Sequence, residues 1–272
     1  MTLGNPCYPF PAVQSMVMQS ASSSLLRSVG MIALLLVCQA ASAQPLDASV
    51  RQLVVSIAPD WSSWQGQLQR YERGPDGAWR RVGDCVPVLY GKNGLAWGRG
   101  VRGTDEPGLH KREGDGRSPA GVFALGTIYG NDARLPDGAD YPFHQVTAGD
   151  AWPDDPANPF YNQHVVVDAA QPPAWFATQR MRVGDPAYRW RVEIRHNADP
   201  IEPGAGSATF FHVRRGETRR TSGCTTMAEP ALQELVTWLR AGAKPHYVLL
   251  PRDEYERRRQ AWGLPAWDSG DK

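Results

Sequence analysis

The sequence predicts a mainly β protein whose strands form a sandwich or a barrel-like sheet with few helices. Short apolar runs, many of them β-branched, recur from residue 52 to residue 251. The chain also has 27 glycines and 23 prolines, and most of them lie between these runs, where turns need them. One segment clearly has the apolar spacing of a helix. Many short strands with few helices are typical of sandwiches and barrels.

Eight segments are predicted strands, because each is a short apolar or alternating run bounded by turn-forming residues. In chain order they are Gln52–Ile57, Gln65–Arg73, Trp79–Leu89, Val122–Tyr129, His164–Asp168, Trp190–Arg195, Ala208–Val213 and Lys244–Pro251.

The clear helix begins at Glu229 and Pro230, since proline suits the first helical turn. Apolar residues three and four apart form its buried stripe: Leu232, Leu235, Val236 and Leu239. Gly242 is predicted to end this helix. Shorter helices are predicted within residues 170–182 and over Tyr255–Trp262.

Residues 1–43 are predicted to be a signal peptide. A short apolar run, Met31–Cys38, precedes the small residues Ala41–Ala43, which a signal peptidase accepts. The run is too short to span a bilayer comfortably. We therefore expect cleavage after Ala43, export to the periplasm or cell envelope, and no stable membrane insertion afterwards. A lipoprotein anchored at Cys38 and an uncleaved membrane anchor are the alternatives.

The remaining residues, 44–272, are predicted to form a single domain, because 229 residues suffice for a substantial core. They carry 28 basic and 28 acidic side chains. This balance argues against a general nucleic-acid binder and against a protein that binds anionic lipid through charge. The sequence leaves the oligomeric state open.

Two cysteines, Cys85 and Cys224, lie in the predicted mature chain. Two thiols in an oxidising compartment could form a disulfide. Their settings differ, however, since Cys85 lies in a strand-like run and Cys224 follows a glycine. We therefore expect a buried Cys85 and a Cys224 outside any disulfide.

Cys224 is the candidate nucleophile. Gly223 permits a tight turn that presents the thiol and backbone amides, and the predicted helix follows, whose dipole would favour a thiolate. His212 precedes the cysteine on a predicted strand and is the candidate general base. The alternative for Cys224 is a small core residue.

A third group must orient the imidazole of His212, and a backbone carbonyl or Asn197 are the candidates. A zinc site formed by His196, His212 and Cys224 is a chemical alternative. The chain lacks paired ligand spacings such as CxxC or HExxH, so no metal site is predicted.

Two other motifs have simpler explanations. Gly98–Gly103 matches GxGxxG, but the strand–turn–helix context that gives this motif its function is absent from the sequence. Asp154-Asp155-Pro156 and Asn158-Pro159 could suggest a metal site, but turn formation explains them better.

The residues around His212 and Cys224 resemble the core signature of the YkuD-like L,D-transpeptidase catalytic domain. That signature is a histidine, a spacer and Ser/Thr-x-Gly-Cys, which here reads Thr221-Ser222-Gly223-Cys224. Further motifs of a divergent exported branch are present in order: Lys111–Phe123, Asp154–Pro156 with Tyr161-Asn162, and Gly206-Ser207. The resemblance covers about residues 80–250.

The resemblance implies a cysteine-dependent L,D-transpeptidase that acts on peptidoglycan stem peptides through an acyl-enzyme, in cell-wall cross-linking or remodelling. It implies an L,D-transpeptidase-like sheet, Cys224 as nucleophile and His212 as base. Backbone amides around Ser222 and Gly223 would bind the oxyanion, and no cofactor is expected. The alternatives are an L,D-carboxypeptidase or peptidoglycan amidase that uses the same pair, and an inactive cell-wall binding domain.

The chain departs from the common family pattern at two places. Val213 stands where most members have glycine directly after the histidine. Thr225-Thr226 stands where many members have Ile-Arg, whose arginine is thought to help place substrate. Other residues must then contact the substrate, and the candidates are Thr221, Arg214, Arg215, Arg219, Arg220 and Asn197.

Overall fold

The computed structural model describes residues 44–267, and strands dominate this part of the chain. The strands are β1 Gln52–Ala58, β2 Gln65–Arg73, β3 Trp79–Leu89, β4 Leu95–Trp97, β5 Ser118–Gly130, β6 Phe143–Gln145, β7 Asp150–Ala151, β8 Val165–Val166, β9 Trp190–Ile194, β10 Phe210–Val213, β11 Thr225–Met227 and β12 His246–Pro251. The helices are α1 Phe176–Gln179, α2 Glu229–Trp238 and α3 Arg252–Arg258, with 3₁₀ turns at Pro186–Tyr188 and Ala241–Ala243.

Eight strands close into a barrel-like mixed sheet in the order β1-β2-β3-β11-β10-β9-β5-β12. β12 completes the ring because it pairs in parallel with β1 and antiparallel with β5. Closure leaves fewer strand edges open to pairing with other chains. The predicted mainly β, barrel-like fold is confirmed.

β5 is long enough to contact four other strands. It pairs with β4 at its start, with β12 in its first half, with β9 in its second half and with β6 at its end. β7 and β8 form a separate two-stranded sheet. Together these contacts fix the loops around one end of β9 and β10.

The core is built from β-branched, leucine and aromatic side chains. β1 is buried along its whole length, because β12 and β2 flank it and α3 packs against β1 and β12. Helix α2 packs against β10 through its buried Leu232, Leu235 and Val236. Each such side chain contributes about 1.5–3 kcal/mol when it is fully buried. Helix α2 therefore supports β10, the strand that carries His212.

Most predicted elements are present, with changed ends. The predicted bounds of the second and third strands match β2 and β3, whereas β5 begins earlier than predicted and β8 is reduced to two residues. Helix α2 ends at Trp238 rather than Gly242, because Leu239 adopts an extended conformation and the glycine lies in a 3₁₀ turn. Helix α3 begins at Arg252 rather than Tyr255.

The helix that follows Cys224 starts at Glu229, as predicted. The sequence did not predict the short strand β11, which the chain forms between the cysteine and this helix. The β-branched Thr225 and Thr226 favour the extended conformation.

The predicted signal peptide and Cys38 lie outside the described residues. Among residues 44–267, no helix has the length and apolar character needed to cross a membrane.

Candidate active site

Neighbouring parallel strands bring His212 and Cys224 together. β10 pairs with β11 so that His212 lies opposite Thr226, and Cys224 is two residues before this threonine. Side chains two residues apart on an extended chain point to the same face of a sheet. The register therefore places His212 and Cys224 on one face, and both line the same cavity.

This cavity has a volume of about 450 Å³ and a strongly basic lining. Five basic residues line it, Lys111, Arg182, Arg215, Arg219 and Arg220, together with the acidic residues Glu113 and Asp154. Burial, with the nearby Glu113 charge, raises the pKa of Asp154 above its usual range. A cavity of this size suits a small ligand or a peptide, and its charge favours an anionic one.

A backbone carbonyl orients the imidazole of His212. The Nδ1 atom lies 2.9 Å from the Val213 carbonyl oxygen, and the side chain is buried. Because a carbonyl only accepts, we assign the proton to Nδ1, which leaves the Nε2 lone pair to accept a proton. The ring of Tyr188 packs on the imidazole at 4.9 Å between centroids. A backbone carbonyl and Asn197 were the two candidates for orienting the imidazole, and the structure shows the carbonyl of Val213 in this position.

Burial opposes charge on both side chains. It raises the pKa of the Cys224 thiol to about 11 and lowers the pKa of His212 to about 4. A backbone hydrogen bond from Phe210 and the charges of Lys111 and Arg191 lower the thiol pKa but do not offset burial. The expected lowering of the thiol pKa by a helix dipole is therefore not seen, which favours transfer of the proton during the attack itself.

The turn that carries the thiol is held by side-chain hydrogen bonds. Thr221 Oγ1 accepts from the Gly223 N–H at 3.0 Å and donates to the Cys224 carbonyl at 2.7 Å. Ser118 Oγ donates to the Gly223 carbonyl at 2.7 Å. A Cβ atom at Gly223 would lie 3.0 Å from the Arg117 carbonyl oxygen, so a larger residue would crowd the backbone. The turn is therefore rigid and needs glycine at this position.

Asn162 holds the segment that leads into β10. Its Oδ1 accepts from the Ala208 N–H at 3.0 Å, and its Nδ2 donates to the carbonyls of His196 and Asn197. Asn162 has a left-handed φ of 56°, which asparagine tolerates better than most residues. The Ala208 carbonyl in turn accepts from Cys224 Sγ at 3.5 Å. Asn162 is therefore linked to the Cys224 thiol through the backbone of a single residue, Ala208.

Tyr161 joins the three motifs on which the resemblance was based. Its hydroxyl donates to Glu113 Oε2 at 2.6 Å and accepts from the Gly206 N–H at 3.1 Å. Glu113 belongs to the first motif, Tyr161 to the second and Gly206 to the third. The motifs converge at one side of the cavity.

A model of the L,D-transpeptidase catalytic domain family, YkuD, matches residues 78–248. This is more than half of the chain. The chain belongs to the YkuD L,D-transpeptidase family. No curated protein and no solved structure matches it. The matched residues include His212, Cys224 and the rest of the cavity lining.

The predicted substrate contacts of this YkuD domain divide into two groups. Arg215, Arg219, Arg220 and Thr221 line the cavity, and so does Ser222, which was predicted to belong to the oxyanion turn. The other two predicted residues lie outside that lining. Arg214 forms an ion pair with Glu217 at 2.5 Å, and the fully buried Asn197 donates to the carbonyls of Glu202 and Gly206.

Two basic residues of the cavity were missed by the sequence reasoning. Lys111 is buried beside the turn and donates to Asp115 Oδ1 and the Arg112 carbonyl. Its place in the first motif could have pointed to it. Arg182 also lines the cavity but belongs to none of the motifs.

The zinc alternative at this site is contradicted. His196 Nδ1 accepts from the Arg99 N–H at 3.1 Å, and Nε2 lies 3.0 Å from the Ala205 carbonyl oxygen. Burial lowers the pKa of His196 to about 3. Both ring nitrogens of His196 are hydrogen-bonded to backbone groups, so neither is available to a metal shared with Cys224.

Neither of the two cysteines in the described range forms a disulfide. Cys85 lies in β3, as expected, but it is half-buried rather than buried, and its Sγ contacts Gln67 Oε1 at 3.6 Å. No helix follows β4 at Gly98–Gly103, so the GxGxxG match there lacks its helix, as the sequence indicated. Asp155 and Asn158 accept backbone N–H groups in turns, also as expected.

Proposed function

We propose that this chain is a cysteine-dependent L,D-transpeptidase that acts on peptidoglycan stem peptides through an acyl-enzyme. The register of β10 and β11 carries the proposal, because it sets a buried imidazole and a thiol on one face of the sheet, at the wall of a basic cavity. Membership of the YkuD family supplies the reaction class.

In the first step, Cys224 Sγ attacks the carbonyl carbon of the residue that precedes the terminal D-alanine of a stem peptide. His212 Nε2 takes the thiol proton as the C–S bond forms. The carbonyl oxygen becomes an oxyanion. Because the Gly223 N–H is used by Thr221 Oγ1, we assign oxyanion stabilisation to the neighbouring amides of Ser222 and Cys224.

In the second step, the C–N bond breaks and His212 returns the proton to the departing D-alanine amine. A thioester on Cys224 remains. The side-chain amine of a second stem then attacks the thioester carbonyl, which forms the cross-link and restores the thiol. If water attacks instead, the product is a shortened stem with a free carboxylate, and the enzyme is an L,D-carboxypeptidase.

The basic lining of the cavity supports an anionic stem peptide as the substrate. The arginine that many family members carry after the cysteine is replaced here by Thr225-Thr226. Arg219 and Arg220 are exposed at the cavity, so they can reach the stem carboxylate from the solvent side. Arg215 is also bound to Asp185 at 2.6 Å and lies over the Tyr188 ring.

We also infer that the protein is exported, with residues 1–43 removed as a signal peptide and residues 44–272 acting as one domain. Two considerations support this. Peptidoglycan lies outside the cytoplasmic membrane, and the apolar run Met31–Cys38 with Ala41–Ala43 is typical of a cleaved leader.

The direct test is the intact mass of the purified protein after exposure to a carbapenem. We expect the native protein and a Cys85→Ala variant to gain one covalent adduct, and a Cys224→Ala variant to gain none. Mapping the products from purified muropeptides then distinguishes an amine acceptor from water.

A folded native protein that forms no adduct, or one that carries the adduct on Cys85, would contradict the proposed chemistry. If Cys224→Ala keeps both muropeptide affinity and the cellular phenotype, the chain is a cell-wall binding domain instead.

A further inference from the structure

A second cluster of reactive side chains lies outside the candidate active site. His144 on β6, Asp150 on β7 and His164 just before β8 each point one ligand atom at a common centre. Within residues 44–267, these are the only three His, Cys, Asp or Glu residues grouped closely enough to hold a metal ion, and their ligand atoms lie within 4.8 Å of one another.

The carboxylate at this centre is fully buried and already oriented. Asp150 Oδ1 lies 2.5 Å from Nε2 of His144 and 2.5 Å from Nε2 of His164. Its Oδ2 accepts from the Thr147 N–H at 2.8 Å and from Thr147 Oγ1 at 2.6 Å. Thr147 therefore holds one oxygen of the carboxylate, and the other oxygen faces two imidazole nitrogens. Hydrogen-bonded groups behind a metal ligand usually orient the ligand in this way.

The aromatic residue Tyr129 holds both imidazoles in place. Its ring lies 4.8 Å from the His164 ring and 5.8 Å from the His144 ring, between centroids. Tyr129 also packs in a small apolar cluster with Phe210, and Cys224 packs against that cluster. Through Tyr129, the three polar residues thus adjoin the apolar cluster against which Cys224 packs.

We propose that His144, Asp150 and His164 form a structural binding site for a zinc-class divalent cation. Two imidazoles and one carboxylate are ligands that suit Zn²⁺, whereas Mg²⁺ and Ca²⁺ prefer oxygen ligands throughout. Water completes the fourth position. The cation has no part in the proposed acyl transfer, and the site does not depend on the proposed function.

The ion can enter if both rings shift. Ligands of a tetrahedral zinc ion lie about 3.3 Å apart, so each imidazole nitrogen moves away from Asp150 Oδ1 by about 0.8 Å. The two imidazole nitrogens, which lie within 4.8 Å of each other, move closer together by up to about 1.5 Å. The His144 side chain is 35% exposed and that of His164 is 20% exposed, so solvent reaches both rings. The exposed side provides the path of entry and the water ligand.

The ion would link three short strands. β7 and β8 are two residues each, and β6 is three. Asp150 also joins this region to the segment after α1, because the Met181 N–H donates to its carbonyl at 2.8 Å. Met181 packs beside Tyr129 and Phe210. Zinc bound here therefore supports the apolar cluster that contains Tyr129 and Phe210.

The test is calorimetric titration of the purified, chelator-treated protein with ZnCl₂, with MgCl₂ as the comparison. We expect one zinc ion per chain, no heat from Mg²⁺, and a Tm rise of about 5–10 °C at a free zinc concentration one hundred times the Kd. His164→Gln and His144→Gln each remove one half-exposed ligand and should weaken zinc binding at least about tenfold.

Two control variants separate this site from other imidazoles and from the candidate nucleophile. His246→Gln removes a histidine whose Nδ1 is hydrogen-bonded to the Lys244 carbonyl. This variant should bind zinc as the native protein does. Cys224→Ala should do the same. The proposal is overturned if the native protein binds no zinc, if the His164 and His144 variants bind it equally well, or if Cys224→Ala abolishes binding. Neither readout uses enzyme activity, so this result is independent of the carbapenem experiment.

Discussion

Cys85 lies on β3 and Cys224 directly precedes the neighbouring strand β11, yet the groups around the two thiols differ. β3, which contains Cys85, pairs with β11, which follows Cys224, and both thiols are half-buried. Cys85 contacts the amide side chain of Gln67, whereas Cys224 shares a basic cavity with a buried imidazole. Exposure alone therefore does not distinguish the two cysteines. The groups that neighbour each thiol distinguish them.

The backbone around each thiol differs as well. Cys85 lies in a long strand between exposed residues such as Asp84 and Pro87. Cys224 follows a turn that Thr221 and Ser118 hold by hydrogen bonds, and its thiol donates to a backbone carbonyl. A nucleophile needs such a fixed position relative to its base, because small displacements reduce the rate of attack.

The largest expected effect concerns the base. In His212→Gln, acylation of Cys224 by a carbapenem should slow by about 10²–10⁴-fold, because no group accepts the thiol proton. Time-resolved intact mass measures the rate, and His246→Gln is the matched control that should react at the native rate. A His212→Gln rate close to native would mean that the imidazole does not distinguish Cys224 from Cys85.

A smaller effect concerns the resting charge of the thiol. In Cys85→Ala protein, iodoacetamide should alkylate Cys224 on the order of 10²-fold more slowly than free cysteine at pH 7, because burial raises the thiol pKa to about 11. The rate should rise about tenfold per pH unit as the thiolate fraction grows up to that pKa. A rate that levels off near neutral pH would instead indicate a resting thiolate–imidazolium pair.

The smallest effect concerns the framework behind the thiol. Asn162→Ala should lower the free energy of unfolding by about 2 kcal/mol, because it leaves the Ala208 N–H and two carbonyls without their partner. Acylation of the folded variant should also slow, since Ala208 positions Cys224 Sγ. Denaturant unfolding and intact mass measure the two effects. Asn158→Ala, which removes only a turn hydrogen bond, should leave the acylation rate unchanged.

Much of the fold could be predicted from local patterns. The bounds of β2 and β3 followed from alternating residues between turn formers, and the stripe of α2 followed from its helical spacing. The shorter β8 and the shifted α3 could not be predicted, because their ends depend on neighbouring segments rather than on local propensity. The same is true of the closure between β12 and β5, which joins residues far apart in the chain.

The candidate site was predicted in part. His212, Cys224 and the turn residues were found because their types and order suit one kind of chemistry. Asn197 was placed wrongly as an orienting group, and Lys111 and Arg182 were missed, since membership of a cavity depends on distant segments.

The sequence by itself determined which residues carry the thiol and the imidazole, the family to which they point and the mainly β character, because these depend on residue types, spacing and local propensity. The tertiary structure alone decided that burial opposes charge on both members of the pair, that the Gly223 amide is engaged by Thr221, and that His144, Asp150 and His164 meet. Those properties depend on burial and on contacts between distant segments, and a linear pattern contains neither.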